Sequence, residues 1–332
     1  MKVAVIGAGA IGSVTAALLS DKGHDVTLLC RPEQAGAINA RGLHVGGIGG
    51  GKVYEVPARP ALDFSPDFLL LAVKTQDVHE ACCAAMPHAG DAVAVTMQNG
   101  LKSDGIAASV LGRERIVSSV VMFGATCDEP GRVTYNFPGG LVIGKAFDDG
   151  ADGVVERAGE LFSGALDVRI ADDIHAAHRT KLVLNLNNAL AGILGQELQT
   201  TFSDARVCRL GLALMREACE TMEAAGLSIG ELPGLPLEKL KSLLQAPPDV
   251  GAQIYGGIMR GLSKEPLPGS VLQSIRRGRR SEIDYLNGEV VSIGNGCGHP
   301  APLNARAVAM VQKVEEAGRF FDAERLIEEM AL

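Results

Sequence analysis

Apolar positions in the N-terminal half come in short, nearly continuous runs. Val3 to Ile6, FLLLAV (Phe68 to Val73), AVAVTM (Ala92 to Met97), IVSSVVMF (Ile116 to Phe123), LVIG (Leu141 to Gly144) and DVRIA (Asp167 to Ala171) are each of strand length. Strands apolar on both faces belong in a sheet covered on both sides. HDVTLLC, closed by Arg31 and Pro32, reads as a further strand. Before it, SVTAALLSDKG has helical spacing and ends on Gly23, as a helix C-cap would. Strand, tight turn, helix and strand thus follow within about 30 residues, which is one βαβ unit. The pattern predicts an α/β domain of Rossmann type, a doubly wound and mainly parallel sheet, over residues 1–171. LHVGGIGGGKVYEVP differs, because its glycines lie between two alternating runs and precede no helix. It predicts a flexible hairpin.

After Asp172 the strand signals vanish. Helical patterns run through Arg179 to Leu194, Arg206 to Ala225, Leu237 to Leu244, Gly269 to Gly294 and Asn304 to Glu316, which predicts an all-helical domain over residues 172–332. One stretch in it is chemically odd: KLVLNLNNALAGIL, Lys181 to Leu194, reads as a core helix yet carries a lysine and three asparagines. Burying such groups without partners costs roughly 2–7 kcal/mol each, depending on reference state. On one continuous helix, Asn185 lies about 40° from Lys181 and Asn188 about 20° to its other side, so the three share a face. Gly192 continues that face and leaves room for a ligand, as expected of a helix looking into a cleft between domains. The alternative is a lysine held by a buried carboxylate for structure. In the later pattern Ser270 and Glu282, twelve residues or about 3.3 turns apart, fall near one helix face.

Composition narrows the class. With 332 residues, 47% apolar and 21% charged, the chain suits two globular domains. A net charge of −8 argues against a nucleic-acid or anionic-membrane partner. The basic run Arg276 to Arg280 is the exception and reads as a solvated face. The chain opens directly on a strand-like run, and no apolar stretch reaches the ~18–20 residues of a spanning helix, so a cytoplasmic protein is expected. Seven cysteines without a Cys-x-x-Cys spacing read as reduced thiols. His175 and His178 lack an evident third ligand, and no metal site is predicted. Whether the helical half pairs with a copy of itself or covers its own core is left open.

Candidate chemistry begins at the first turn. Gly7, Gly9 and Gly12, with Ala10 and Ile11 between them, make G-x-G-x-x-G directly after a strand and at the opening of a helix. The first glycine permits the turn, the second lets backbone approach a pyrophosphate, and the third allows close helix–strand packing. The helix N-terminus adds free N–H groups and positive dipole. After the second strand, where NAD enzymes place an acidic residue, stand Cys30 and Arg31. No carboxylate repels a 2′-phosphate there, and an arginine is at hand, so the expected cofactor is NADP(H). Lys181, if partly desolvated, has the chemistry of a general acid toward a carbonyl oxygen.

Together these residues resemble the ketopantoate reductase family, the NADPH-dependent 2-dehydropantoate 2-reductases, over nearly the whole chain. The matching pieces are VIGAGAIGS, Arg31, VKTQD with Lys74, MQNGL with Asn99, KLVLN with Lys181 and Asn185, Ser270 followed by SEIDYLNG, and GHPAPLN. The resemblance implies reduction of 2-dehydropantoate to (R)-pantoate in pantothenate biosynthesis. It makes Lys181 the proton donor to the keto oxygen and Glu282 the partner of the substrate hydroxyl. Ser270 becomes a contact to the substrate carboxylate, Asn185 lies beside substrate, Asn99 near nicotinamide and substrate, and Lys74 beside the cofactor. Three positions depart from the family pattern: Ala189 stands where a second asparagine is usual, Leu267 where some members carry another, and Ser274 replaces an aspartate. Asn188 is the candidate substitute for the missing asparagine, and a different 2-keto acid is a live alternative. Two rivals stay open, a β-hydroxyacid dehydrogenase-like enzyme and a non-catalytic NADPH sensor.

Overall fold

The structure is a computed structural model that describes residues 1–48, 50–263 and 265–330. It forms two compact units, Met1–His175 and Ala176–Leu332. The first runs β1 (Lys2–Ile6), α1 (Ala10–Asp21), β2 (Asp25–Leu29), α2 (Pro32–Arg41), β3 (Leu43–Gly47), β4 (Lys52–Tyr54), β5 (Ala58–Arg59), β6 (Phe68–Leu71), α3 (Val78–Ala89), β7 (Val93–Thr96), α4 (Ser103–Leu111), β8 (Ile116–Val121), β9 (Gly124–Glu129), β10 (Arg132–Phe137), β11 (Leu141–Lys145), α5 (Val154–Phe162) and β12 (Val168–Ile170). An eight-stranded sheet has the order β12-β11-β8-β7-β6-β1-β2-β5. Every neighbouring pair is parallel except β8 with β11.

The continuous apolar runs follow from this sheet being covered on both faces. Val3 and Val5 of β1, with Phe68 and Leu70 of β6, enter a core shared with Val14 of α1 and Leu161 of α5. Their alternates Ala4, Ile6, Leu69 and Leu71 enter a second core with Cys82 of α3 and Ala107 of α4. The glycine-rich segment is a hairpin, β3 pairing antiparallel with β4, but it belongs to a second sheet of order β4-β3-β10-β9. β9 and β10 were not anticipated. GATCDE and RVTYNF mix small, charged and aromatic residues and are interrupted by two register shifts, so neither periodicity nor apolar run marks them.

The second unit is helical, with one isolated bridge between Leu232 and Leu235 among the described residues. Its helices are α6 (Ile174–Asn185, whose first two residues belong to the first unit), α7 (Asn188–Leu194), α8 (Leu198–Thr201), α9 (Ala205–Ala224), α10 (Leu237–Gln245), α11 (Pro248–Arg260), α12 (Ser270–Arg276), α13 (Asn287–Cys297), α14 (Pro302–Ala317) and α15 (Ala323–Met330). No described helix is long and apolar enough to cross a membrane.

Two long predicted helices are broken. The Arg179–Leu194 pattern parts at Leu186 and Asn187 into α6 and α7. Side-chain amides reach the carbonyls there: Asn188 Nδ2 donates to Asn185 O at 3.0 Å, and Asn287 Nδ2 donates at 3.4 Å to Leu186 O, which also accepts from Ala189 N at 3.2 Å. Asparagine commonly competes for backbone in this way, which is why it is a poor residue for a helix interior. The Gly269–Gly294 pattern stops where Gly278 takes φ +63°, a left-handed helix end, and resumes through a 3₁₀ turn at Ile283–Tyr285. Ser270 and Glu282 therefore do not share a helix.

Candidate active site

In the first unit the expected cofactor residues fall on one sheet edge. Gly7 follows β1, Arg31 lies two residues after β2, Lys74 three after β6, and Asn99 three after β7. These four strands are adjacent and parallel, so all four loops leave from their C-terminal ends. β1 lies where the chain's winding reverses direction, the place at which open α/β sheets form ligand crevices. The glycines divide their work as their spacing implies. Gly7 has φ +112°, and a Cβ there would stand 2.8 Å from Ala72 C. At Gly12 a Cβ would collide with Gly7 O, whereas at Gly9 it would meet nothing within 4 Å. Of the three, Gly9 alone leaves its backbone open, as the approach of a ligand would require. Ala10, Ile11 and Gly12 begin α1, whose N-terminus has neither a side-chain cap nor an acidic residue in its first turn. Arg31 is exposed, and among the described residues its guanidinium has no hydrogen bond or ion pair.

Residues that sequence reasoning missed hold these loops together. Buried Gln98 donates from Nε2 to Leu71 O at 2.7 Å and Val73 O at 3.0 Å, and Thr75 Oγ1 donates to Asn99 O at 3.3 Å. The loops bearing Lys74 and Asn99 are thus tied to each other. Below them a buried carboxylate, Asp104, accepts from Thr96 Oγ1 at 2.5 Å and Ser118 Oγ at 2.6 Å. The only local sign of Gln98 was its place beside Asn99 in MQNGL.

In the second unit Lys181 and Asn185 stand one turn apart on α6. The register of Lys181 is set by its neighbour Thr180, whose Oγ1 donates to Gly230 O at 2.6 Å and accepts from Gly230 N at 2.9 Å. Among the described residues the Lys181 amine has neither a hydrogen bond nor an ion pair. It retains some exposure, yet the protein packed around it pushes its pKa down to about 8, with desolvation the cause. Among the described residues no carboxylate holds it, as a lysine kept for structure would require.

The break in the helix changes the roles of its neighbours. Asn188 opens α7, and its Oδ1 accepts from Ser270 N at 3.2 Å while its Nδ2 holds Asn185 O, so it links Asn185 to Ser270. Asn187 turns inward, donating to Tyr255 Oη at 2.7 Å and Met215 Sδ at 3.1 Å. Gly192 leaves no room for a ligand: a Cβ there would stand 2.5 Å from Val271 Cγ1, so its bareness serves the packing of α12 on α7. Glu282 is buried in the turn before the 3₁₀ segment. That segment is fastened through Asn287, which reaches Leu186 O and Asn304 Oδ1, and Asn304 Nδ2 in turn donates to Glu217 Oε2 at 2.8 Å. Ala189 and Leu267 are buried. Of the basic run, Arg276 is tied to Glu197 at 2.8 Å and to Gly195 O at 3.1 Å, and all four arginines are exposed. His175 contacts Ala146 O at 3.0 Å.

Known proteins resemble the chain over both halves. Residues 3–147 match the family model described as ketopantoate reductase PanE/ApbA, and residues 173–315 its C-terminal counterpart. The 2-dehydropantoate 2-reductase of Pyrococcus horikoshii is 27% identical over 96% of this chain and 99% of its own. That of Mesorhizobium japonicum is 27% identical over 95% of this chain and 98% of its own. A PanE/ApbA family ketopantoate reductase structure from Ralstonia eutropha superposes with a TM-score of 0.79 at 26% identity, covering 96% of this chain and 99% of that one. A D-mandelate dehydrogenase bound to NADH and anilino(oxo)acetate has a TM-score of 0.82 at 19% identity over 96% and 99% of the two chains, which shows a shared fold. The two matched models span both units, and the chain belongs to the ketopantoate reductase family.

Proposed function

We propose that this protein is an NADPH-dependent oxidoreductase that reduces 2-dehydropantoate to (R)-pantoate. The observation that carries the reading is the Lys181 amine, desolvated to a pKa of about 8 with no hydrogen bond or ion pair among the described residues. A group so placed is costly to the fold and suited to proton transfer near neutral pH. The glycine turn, the open position at Gly9 and the uncapped α1 N-terminus fit a pyrophosphate, and the unpaired Arg31 fits a 2′-phosphate. NADPH supplies a hydride to the keto carbon when bound. Lys181 gives its proton to the oxygen as negative charge develops there, and the amine, neutral afterwards, is reprotonated from solvent. Asn185 orients the substrate, with Asn188 keeping it in line with Ser270, whose hydroxyl takes the substrate carboxylate. Glu282 takes the substrate hydroxyl, while Lys74 and Asn99 hold the nicotinamide end.

Following NADPH oxidation by absorbance on purified protein offered 2-dehydropantoate tests the reading. Steady turnover is expected, and tight NADPH binding with no turnover on any 2-keto acid would replace the enzyme with a sensor. One observation favours a second reading of the substrate. Ala189 and Leu267 are buried apolar residues at positions where relatives of the family pattern carry amides, so two hydrogen-bonding groups are missing. A less hydroxylated 2-keto acid turning over faster than 2-dehydropantoate in the same assay would establish it. A cytoplasmic site for the reaction goes with the proposal, supported by seven cysteines that form no disulfide.

A further inference from the structure

The helical unit holds a cavity of about 250 Å³ between the end of α8, the first turns of α9 and α11, and none of the residues given a part in the reaction lines it. Phe202, Cys208, Ala252 and Gly256 line it as buried residues, whereas Gln253 and Arg260 are exposed. Gly256 makes part of the space. A Cβ there would stand 3.2 Å from both Arg260 Nη1 and Cys208 Sγ, so bare backbone lets the guanidinium lie close over α11 beside α9. An apolar base with a few polar groups at its opening is the form of a small-molecule site.

The polar groups say which ligand fits. Among the described residues the Arg260 guanidinium and the Gln253 amide have no hydrogen bond or ion pair. Arg209 pairs at 2.5 Å with Asp249, the one carboxylate of the lining, so two arginines against one acid leave one excess positive charge. Both cations bear on one spot: burial pushes the Cys208 thiol pKa up, and the charges of Arg260 and Arg209 act against that rise. Gln253 and Arg260 lie two turns apart on one face of α11, about 10 Å along its axis. A small acid would set its carboxylate on Arg260, its body over Ala252 and Phe202, and an acceptor near Gln253. The cavity also has a physical link to the α6–α7 break. Phe202 packs edge-on against Tyr255, ring centroids 5.2 Å apart, and Tyr255 Oη accepts from Asn187 Nδ2 at 2.7 Å. Asn187 stands in the break between Asn185 and Asn188. Contiguous packed side chains and hydrogen bonds of this kind carry coupling between sites.

We propose that this cavity is a second binding site, for a small organic carboxylate that also carries a hydrogen-bond acceptor, and that its occupant acts on the α6–α7 break through Phe202, Tyr255 and Asn187. The binding is independent of the catalytic reading, whereas its effect on turnover rests on that reading. The probe is 4-oxopentanoate, a carboxylate with a short apolar chain and a carbonyl. Isothermal titration calorimetry of the full chain should show saturable binding that Arg260→Gln weakens about tenfold or more. Ser270→Ala, which alters the proposed carboxylate contact of the active site, should leave that binding in place. The chain has no tryptophan and four tyrosines, so near-ultraviolet circular dichroism reads tyrosine, and the probe should shift the signal in the wild type but not in Tyr255→Phe. In NADPH oxidation the probe should change kcat/KM for 2-dehydropantoate by a factor that differs about twofold or more between wild type and Arg260→Gln. No saturable binding, or binding lost in Ser270→Ala and kept in Arg260→Gln, would overturn the site. A bound probe that leaves the tyrosine signal unmoved, or equal factors in the two proteins, would overturn the coupling. Absence of turnover would count against the catalytic reading and leave calorimetry and dichroism to decide this one.

Discussion

The two units meet the problem of a polar ligand by opposite means. In the first, the candidate cofactor site is made largely of backbone: a glycine turn, a helix N-terminus and the ends of four adjacent strands. Its cost to the fold is small, because those N–H groups would be unpaired at any helix start. In the second unit the candidate groups are side chains, and they sit where helices break. An amine with no hydrogen bond or ion pair among the described residues occupies a place that an apolar residue would stabilise better, while a buried glutamate and a chain of hydrogen-bonded asparagines stand at the helix breaks. The lesson is that a backbone site is compatible with a well-ordered core, whereas a side-chain site trades stability for chemistry.

The largest effect that separates the two is expected at Lys181. Lys181→Met should lower kcat by about 10²–10⁴-fold, leave NADPH affinity intact and raise thermal stability by a few degrees. The gain follows from removing a charge whose pKa the fold depresses to about 8, each unit of depression being worth about 1.4 kcal/mol. A variant that loses both activity and stability would break the contrast. Next come the glycines. Gly12→Ala should destabilise the first unit, since the added Cβ collides with Gly7 O, whereas Gly9→Ala should leave melting unchanged and weaken NADPH binding. Calorimetry and cofactor titration distinguish these, and equal melting losses in both would deny that Gly9 is the ligand-facing glycine.

Arg31→Ala should cost about 1.5–3 kcal/mol of NADPH binding, roughly 10–150-fold, with little change for NADH. An unchanged ratio of the two affinities would remove the arginine from cofactor choice. The smallest effect is expected from Asn287→Ala. Losing the contacts to Leu186 O and Asn304 should destabilise the helical unit by about 1–3 kcal/mol and reduce kcat only modestly, because Asn188 still holds the other side of the break. A kcat loss as large as that of Lys181→Met would mean that the buried network, rather than the lysine's own chemistry, governs the rate.

The same contrast explains what was legible in the sequence. The seven principal strands of the large sheet, the hairpin at Leu43 and the division of labour among Gly7, Gly9 and Gly12 all rest on local rules of period and conformation. Sequence reading recovers such rules directly. Lys181 and Asn185 were legible too, because one helical turn separates them and α6 is unbroken between them. Beyond Asn185 the reading failed. A wheel drawn through Asn188 and Gly192 assumes a continuous helix, whereas α6 ends at Asn185 and one contact to the break comes from Asn287, far along the chain. The hydroxyl of Ser270 and the carboxylate of Glu282 were placed on one helix that Gly278 terminates. Gly278 itself was visible in the run RRGRR, a glycine amid helical spacing, and was the available sign of a helix end. β9 and β10 and the clamp by Gln98 carry no such mark, since pairing with distant backbone makes them what they are.

The most direct test of the central claim is the pH dependence of kcat/KM for NADPH-driven reduction of 2-dehydropantoate, measured from pH 6 to 10. If Lys181 donates the proton, the rate should fall as pH rises through about 8, because the ammonium form is the active one and is lost above its pKa. The residual rate of Lys181→Met should show no such fall. A wild-type profile that stays flat to pH 10, or a variant that keeps both its rate and the same fall, would contradict the account.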